Sequence, residues 1–586
     1  MDLASLTCAG LYDLILVRDM ELIMRQSTGS RRIAVLVGCV LGLAACDGDS
    51  KASGDDGAVG GTLIAAVQNE PRLLLPPLIA QIDEKVVADQ VFEPLAWLGD
   101  AGNLARDYRP ALADSWSWER DSMVIVFRLN PRAQWHDGVP VRASDVRFTH
   151  ALFTDSLVGS KDRVALSRID SVTVRDSTTV AFWFSKRYLE QFFDAATRML
   201  IVPEHLLAKE PRGALQTVAF SRSPIGSGRF RFAKWDPNVS IELVADTTNY
   251  HGRPNLDRVI FAITTDPKAV SARLTSGELD AAEITVPAMA KSLMARPEFT
   301  AKILPAFDYT YLLFNLRDRK SRDRAHPLFS DVNLRRALSM ALDRDRLVRS
   351  QFDSMAAVAA GPMTRAQPLA DTTVAQIRYD SAGAVRLLDS LGWTLPAGKA
   401  VRERNGRPLK FGILVPSVSG NRMALVVRVQ QLLGQIGAEA TIEPLDGNAF
   451  NAKMAARDFD IGFDGRHVDP GISGLRPYWS VATARQAGSP NYATYENPRF
   501  DAHLDSAVAS YDLARAQSHA RQAFETLMAD VPAVWMYEAK TAALVHKRFR
   551  TAHMTPGAWW VGIADWSIPP TERIPRDRGA MSTASQ

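Results

Sequence analysis

The sequence predicts an α/β protein that is built of more than one lobe. Its 586 residues are too many for one compact core, since domains average about 150 residues. Strand-like and helix-like segments alternate along most of the chain, without a repeat period. Residues 411–443 show the pattern strand, helix, strand, which is typical of a parallel βαβ unit.

The predicted elements begin at residue 62 and follow one another along the chain. The strands are short apolar or β-branched runs, and the helices carry apolar residues at helical spacing. Asp145 lies in the first turn of one helix, where a carboxylate favours helix formation. The predicted strands are 62–67, 124–129, 180–184, 240–244, 259–263, 411–415 and 440–443, and the predicted helices are 143–152, 334–342 and 421–436.

The composition is that of a globular protein, with 46% hydrophobic and 23% charged residues. It excludes a disordered chain, a fibre and a protein with many membrane spans. The formal net charge is only +4, and the chain has no long run of lysine and arginine. We therefore expect no binding to nucleic acid, because that function usually depends on a basic stripe.

The three cysteines, Cys8, Cys39 and Cys46, all lie near the start of the chain. The body that follows therefore cannot form disulfides, offer a thiolate nucleophile or bind zinc through cysteine. A body without thiols is typical of proteins in an oxidising compartment.

The N-terminal segment has the pattern of an export signal. Arg31 and Arg32 precede residues 33–43, which carry no charge. As a helix this stretch would extend only about 16 Å, which is too short to span a bilayer. We interpret it as the apolar part of a signal peptide that comprises residues 1–45.

The sequence Leu43-Ala44-Ala45-Cys46 resembles the lipobox of bacterial lipoproteins, in which the cysteine is lipidated and becomes the first residue of the mature chain. We therefore expect a lipid on Cys46. Residues 1–23 are acidic, so a start at Met24 would fit a signal peptide better. Residues 46–61 are rich in Gly, Ser and Asp and predict a flexible tether with a reach of about 20 Å. A membrane-anchored envelope protein is the prediction.

Motifs for catalysis or metal binding are absent from the sequence. None of the ten histidines lies three or four residues from another, so no helix would present a pair to a metal. Gly226 and Gly228 resemble the start of a dinucleotide loop, but Arg231 stands where its third glycine would be. We expect a binding protein without cofactor or metal. An envelope hydrolase with a carboxylate pair is the alternative, which turnover assays would distinguish.

A series of short motifs, in a fixed order along the chain, indicates the class of protein more specifically than composition does. Residues 112–146 contain Trp116 and Trp118, a strand, the turn at residues 135–138 and the start of a helix. This stretch resembles the hallmark segment of the family 5 extracellular solute-binding proteins, the peptide/nickel class of ABC transporter receptors. Similar motifs follow in the family's order at 223–230, 250–254, 275–280, 314–315, 331–344, 387–393, 469–470 and 530–532.

The resemblance implies a fold of the type II periplasmic-binding-protein kind, with two lobes, a hinged cleft and an additional domain. Domain I would comprise residues 62–105, 222–308 and 540–586, domain II 106–221 and domain III 309–539. The implied function is the capture of oligopeptide-like solutes on the outer side of the cytoplasmic membrane. A monomeric receptor would deliver them to ABC permease subunits that work with cytoplasmic ATPases. An orphan receptor or chaperone of the same fold is a second alternative.

The resemblance also identifies a point at which the ligand class is in question. In peptide-binding members, an acidic residue just before the Asp-Pro step pairs with the peptide's α-ammonium, and here that position aligns with Arg466. A guanidinium repels an ammonium and favours a carboxylate or phosphate, so a non-peptide or anionic solute is an alternative ligand. Asp464, two residues earlier, could take the acidic role instead.

Further binding residues are expected where the family forms its cleft. Tyr309 and Tyr311 alternate on a predicted strand, so both should lie on one face. The other candidates are Glu70, Trp479, Asn491 and Tyr492.

Overall fold

The computed structural model describes residues 59–99, 104, 107–486 and 488–578. The predicted signal peptide, the start at Met24, the lipid site at Cys46 and most of the tether lie outside these residues.

The strands of the described residues agree with the sequence pattern. Each predicted strand is present, with ends that differ by one or two residues at most. The strands in chain order are β1 (Thr62–Val67), β2 (Ala96–Leu98), β3 (Tyr108–Pro110), β4 (Ala113–Glu119), β5 (Val124–Leu129), β6 (Ser171–Val174), β7 (Thr179–Trp183), β8 (Phe230–Asp236), β9 (Ser240–Ala245), β10 (Arg258–Ile263), β11 (Ala281–Ile284), β12 (Phe299–Phe314), β13 (Ala356–Ala357), β14 (Glu403–Arg404), β15 (Arg407–Pro408), β16 (Lys410–Pro416), β17 (Glu439–Leu445), β18 (Ile461–His467) and β19 (Ala533–His546).

The three predicted helices are also confirmed, within two residues at each end. The helices in chain order are α1 (Ile82–Val91), α2 (Ala143–Thr154), α3 (Arg163–Leu166), α4 (Gln191–Ala196), α5 (Glu204–Leu207), α6 (Pro267–Thr275), α7 (Pro287–Met294), α8 (Val332–Met340), α9 (Arg344–Phe352), α10 (Ser381–Ser390), α11 (Gly420–Gln435), α12 (Gly447–Ala456), α13 (Arg476–Trp479), α14 (Val481–Ala484), α15 (Pro498–Ala509), α16 (Leu513–Asp530) and α17 (Pro575–Arg578).

One large mixed sheet runs through the molecule in the order β17-β16-β18-β12-β19-β11-β1-β10-β9-β8. The predicted βαβ unit lies at one end, where β16 and β17 pair in parallel and α11 connects them. The long strands β12 and β19 form the middle and pair in antiparallel fashion along most of their length. Their register is interrupted between Pro305 and Tyr309. Proline has no N–H to donate, which favours such a break.

The two faces of this sheet near β18 pack against different cores. Leu312 and Phe314 belong to one cluster, and Tyr309, Tyr311 and Leu313 belong to the other. This separation follows from the alternation of side chains along a strand.

A separate four-stranded sheet in the order β4-β5-β7-β6 has a core of its own. Phe127 and Phe182 meet edge to face at its centre, with ring centroids 5.4 Å apart. Its residues fall within the predicted domain II, whereas the large sheet combines strands of the predicted domains I and III. All the described residues nevertheless belong to one compact unit, and the boundaries of the three domains stay a prediction.

Candidate functional site

A cavity of about 610 Å³ lies between segments that are distant in sequence. A volume of this size is typical of sites for small ligands. The apolar part of its wall includes Ile79, Trp97, Phe153, Phe193, Phe307 and Trp560. The charged and polar part includes Lys85, Asp89, Glu93, Lys161, Asp162, Arg198, Arg229, His251, His467, Asp469 and Asp565.

Arg198 connects two walls of this cavity. Its side chain is only 6% exposed, and its Nε donates to Asp194 Oδ1 at 2.8 Å. Its Nη1 lies 3.1 Å from both Asp162 Oδ1 and Asp469 Oδ2. The surrounding protein disfavours a charge on Asp469, but Arg198 outweighs this effect and holds the pKa of that carboxyl below its ordinary value.

Glu190 makes a second connection between the segment around α4 and the segment that follows β18. Its buried carboxylate accepts hydrogen bonds from the backbone N–H of Ser473, at 2.9 Å, and from the Ser473 hydroxyl. Arg168 Nη1 lies 3.5 Å from the same carboxylate and supplies positive charge. We call Glu190, Arg198, Asp469 and Ser473 the latch, because these residues tie the segment around α4 to the segment that follows β18.

Glu93 also lines the cavity and has several polar partners. It accepts hydrogen bonds from Tyr250 Oη at 2.9 Å and from Ser227 Oγ at 3.0 Å, and it lies 3.3 Å from His251 Nε2. Burial disfavours the charged imidazole, but Glu93 outweighs this and raises the pKa of His251 above its ordinary value.

His467 lies at the end of β18, on the cavity wall. Its Nδ1 is 3.2 Å from Asp308 Oδ1 on the neighbouring strand. The surrounding protein lowers the pKa of this imidazole, and Asp308 raises it by more, so the net pKa lies above the ordinary value.

Arg466, on the opposite face of β18 from His467, has its guanidinium enclosed. Its Nε donates a hydrogen bond to Tyr311 Oη at 3.1 Å. Its Nη2 lies 2.8 Å from Asp464 Oδ2 and forms an ion pair with it, but the angles at this contact are not those of a hydrogen bond. Its Cζ lies 5.0 Å from the ring centroid of Tyr478 and 4.9 Å from that of Tyr492. We call Tyr311, Asp464, Arg466, Tyr478 and Tyr492 the arginine box.

The structure therefore brings most of the predicted binding residues together, but outside the cavity lining. Tyr309 and Tyr311 lie on one face as predicted, with ring centroids 5.4 Å apart. Trp479 packs on Tyr311 at 6.2 Å and is buried. The arginine expected to present a free charge has an acidic partner, Asp464, within the chain. A binding role for these residues stays a prediction.

Two predicted residues lie apart from the box. Asn491 is buried and donates to the carbonyl oxygens of Ser480 and Tyr495, so it holds a turn. Glu70 accepts from Trp235 Nε1 at 3.0 Å and from Arg222 at 3.4 Å, and it does not belong to the cavity lining.

Most of the charged residues that line the cavity were missed by the sequence analysis. Asp469 and Pro470 were noticed only as a motif. No motif and no regular spacing marks Glu93, Lys161 or Arg198 in the sequence. The tertiary fold brings each of them to the cavity wall, so local sequence could not identify them.

The comparison with known families decides the identity of this arrangement. The family described as bacterial extracellular solute-binding proteins, family 5 Middle, matches residues 107–488, more than half of the chain. The chain belongs to this solute-binding family.

Relatives of this family 5 protein share most of its length. The oligopeptide-binding protein AppA of Bacillus subtilis is 24% identical over 528 residues, which cover 88% of this chain and 94% of that protein. The solved structure of AppA with a nonapeptide has a TM-score of 0.73 at 21% identity and covers 87% of this chain and 99% of that one. NikZ from Campylobacter jejuni, solved in complex with Ni(L-His), has a TM-score of 0.73 at 25% identity and covers 86% of this chain and 99% of that one. The type II binding-protein fold is thereby shown.

The described residues of this family 5 protein include neither a metal-binding group nor a membrane-spanning helix. Across residues 59–99, 104, 107–486 and 488–578, no group of three His, Cys, Asp or Glu side chains could hold a metal ion. Within the same part of the chain, no helix combines the length and the apolar character needed to span a membrane.

Proposed function

We propose that this protein is the extracytoplasmic substrate-binding component of an ABC importer and that it captures oligopeptide-like solutes in the cavity. The observation that carries the proposal is the latched cavity. Segments that are more than 270 residues apart in the sequence meet at this cavity, and the latch joins them. A hinged receptor requires such a site, in which closure of the lobes and enclosure of the ligand are one event. The relatives are binding proteins and not enzymes, which also supports this role.

The chemistry of the wall supports a solute that is partly apolar and carries polar groups. Aromatic and aliphatic side chains supply contact area, as in other small-molecule sites. The lining carboxylates are paired within the chain, as in the pairs Lys85–Asp89, Arg229–Asp565 and His251–Glu93. Lys161 lines the cavity and forms no close ion pair with a described carboxylate, although its charge also acts on Asp469, so a carboxylate of the solute would find a partner there.

The place of the protein in the cell is part of the proposal. Lipidation of Cys46 would hold the body on a membrane of the cell envelope, at its periplasmic or extracytoplasmic face, with residues 46–61 as the tether. The body would consist of domain I (62–105, 222–308 and 540–586), domain II (106–221) and domain III (309–539), and it would act as a monomer. It would deliver solutes to separate permease subunits that cytoplasmic ATPases drive.

The proposal is tested on the purified chain without residues 1–45. Native mass spectrometry should detect a co-purified solute, and peptide-like masses are expected. Small-angle scattering should then show a smaller radius of gyration with the solute than after its removal, because the lobes close. Solute recovered in cleaved form at a catalytic rate would identify a hydrolase instead, and an unchanged radius of gyration would contradict closure.

A further inference from the structure

The arginine box has the chemistry of a binding site for a cation. A carboxylate supplies the countercharge, a hydroxyl accepts a hydrogen bond, and two tyrosine rings present faces at about 5 Å. Together these are groups that recognise guanidinium and ammonium ions. In this chain the resident cation is Arg466.

The box is closed to other cations because Arg466 fills it. The side chain of Arg466 is only 16% exposed and that of Asp464 only 8%. A cation from solution would have to displace the guanidinium to reach Asp464. That exchange is unfavourable, because Arg466 is already positioned by the chain and a free ligand would lose its translational freedom.

The box adjoins the cavity along the chain. Arg466 is followed in β18 by His467, and then by Val468 and Asp469, all of which line the cavity. Val468 and Phe307 line the cavity and pack in the same apolar cluster as the tyrosines of the box. A solute that contacts Val468 or Phe307 is therefore next to the box.

We propose that Tyr311, Asp464, Tyr478 and Tyr492 form a latent cation-binding site that the chain occupies with its own Arg466, so that solutes with an uncharged or anionic end beside β18 are selected. The selectivity rests on the proposed function of the cavity, whereas the latent site does not. The box thus determines specificity by excluding a class of ligand, as well as by any contact it makes.

The latent site is tested by emptying it. Arg466→Ala should bind methylguanidinium in a saturable way, with a dissociation constant on the order of millimolar by isothermal titration. The unchanged protein should bind it at least about tenfold more weakly. Arg466→Ala combined with Asp464→Asn should lose the binding, because the countercharge is gone.

Arg422→Ala is a matched control. The guanidinium of Arg422 lies against Gly465, on the opposite face of the same strand, and it is not part of the box. This variant should not bind methylguanidinium. Absence of binding to Arg466→Ala, or equal binding to Arg422→Ala, would overturn the latent site.

The selectivity is tested separately with one peptide pool in free and N-acetylated form. The unchanged protein should prefer the acetylated pool, and Arg466→Ala should gain at least about tenfold in affinity for the free amines. A preference of the unchanged protein for free amines would overturn the selectivity. If methylguanidinium binds Arg466→Ala while neither protein binds any peptide, the latent site stands and the proposed function fails in its peptide form.

A measurement on the unchanged protein covers the case in which Arg466→Ala does not fold. The Nε–H proton of Arg466 can be observed in the ¹⁵N-labelled protein and assigned through the loss of its signal in Arg466→Lys. This proton should exchange with water at least about tenfold more slowly than the Nε–H proton of Arg386. The side chain of Arg386 is 71% exposed, whereas Arg466 donates to Tyr311 inside the box. Equally fast exchange would show that the guanidinium is open to solvent and would overturn the proposal.

Discussion

His136 and Asn315 belong to the motifs that carry the family resemblance, and both hold the scaffold without lining the cavity. His136 accepts a hydrogen bond from the Gly226 N–H at 3.1 Å through Nδ1, and its Nε2 lies 2.8 Å from the Gly228 carbonyl oxygen. It therefore joins two of the motifs. Asn315 donates to the carbonyl oxygens of Arg457 and Phe459 and fixes the exit of β12. Buried polar groups with several backbone partners are costly to replace, which gives these positions a structural role.

Glu283 is a partly buried carboxyl on β11 whose ionisation opposes folding. Burial raises its pKa most, and the nearby charges of Asp308 and Asp83 add to this, so that its pKa is about 7, above the ordinary 4.5. A hydrogen bond from Trp559 and the charge of His467 act in the opposite direction. The folded state therefore binds this proton more tightly than the unfolded chain does. Stability is fully present below pH 4.5 and is lost as the pH rises through about 7.

Glu283→Gln should therefore stabilise the protein at pH 8 by about 2–3 kcal/mol and should change little at pH 4.5. Urea unfolding at several pH values measures this difference. Glu525→Gln, an exposed carboxylate on α16, is the control and should show no such trend. A difference between Glu283→Gln and the unchanged protein that does not depend on pH would contradict the assignment.

At the scale of elements, the loop that contains Gly226 packs directly on the C-terminal end of α1. A Cβ atom at Gly226 would lie 1.9 Å from the carbonyl oxygen of Val91. That oxygen belongs to the backbone and cannot move aside without disturbing the helix end. The motif therefore needs glycine for close approach and not for its backbone angles.

Gly226→Ala should destabilise the protein by about 3 kcal/mol or prevent folding. The added Cβ would clash with the backbone carbonyl oxygen of Val91, and neither backbone segment can move without losing contacts. Gly474→Ala is the matched control, since no atom lies within 4 Å of the Cβ it would add. Thermal unfolding compares the two. Equal melting temperatures for the variants would show that the loop can withdraw from α1.

The latch connects the segment around α4 to the segment that follows β18, and its weakening should favour the open form. Asp469→Asn removes one partner of Arg198 while Asp194 and Asp162 remain, so no buried cation is left alone. The Asp469 side chain is 48% exposed, and we expect a loss of about 0.5–1 kcal/mol, or two- to fivefold weaker solute binding.

Titration of the solute identified by mass spectrometry measures this loss, and scattering should show a larger radius of gyration for Asp469→Asn without solute. Asp505→Asn removes an ion pair with Arg476 that is exposed and outside the latch, and it should bind as the unchanged protein does. Unchanged affinity and size in Asp469→Asn would show that the lobes stay together without this pair.

At the scale of the whole molecule, export and attachment decide where the cavity works. Cys46→Ser should release the protein from membranes or leave a precursor that retains residues 1–45, because the thiol that would carry the lipid is gone. Fractionation of cells and the mass of the chain measure both effects. A variant that fractionates and migrates like the unchanged protein would contradict lipidation at Cys46.

The sequence by itself determined seven of the strands, three of the helices, the α/β class and the family. These features depend on near neighbours or on ordered motifs, such as the apolar run in β5 and the apolar spacing in α11. It also placed Tyr309 and Tyr311 on one face, because alternation along a strand is local.

Only the tertiary structure decided the cavity and the state of its charges. Arg198 and Asp469 are 271 residues apart, and Glu190 and Ser473 are 283 apart, so no local pattern could pair them. For the same reason the charge of Arg466 could not be judged from its place in a motif. Its effect depends on Asp464 and on two tyrosine rings that the fold brings around it, and these partners convert an expected free cation into a filled site.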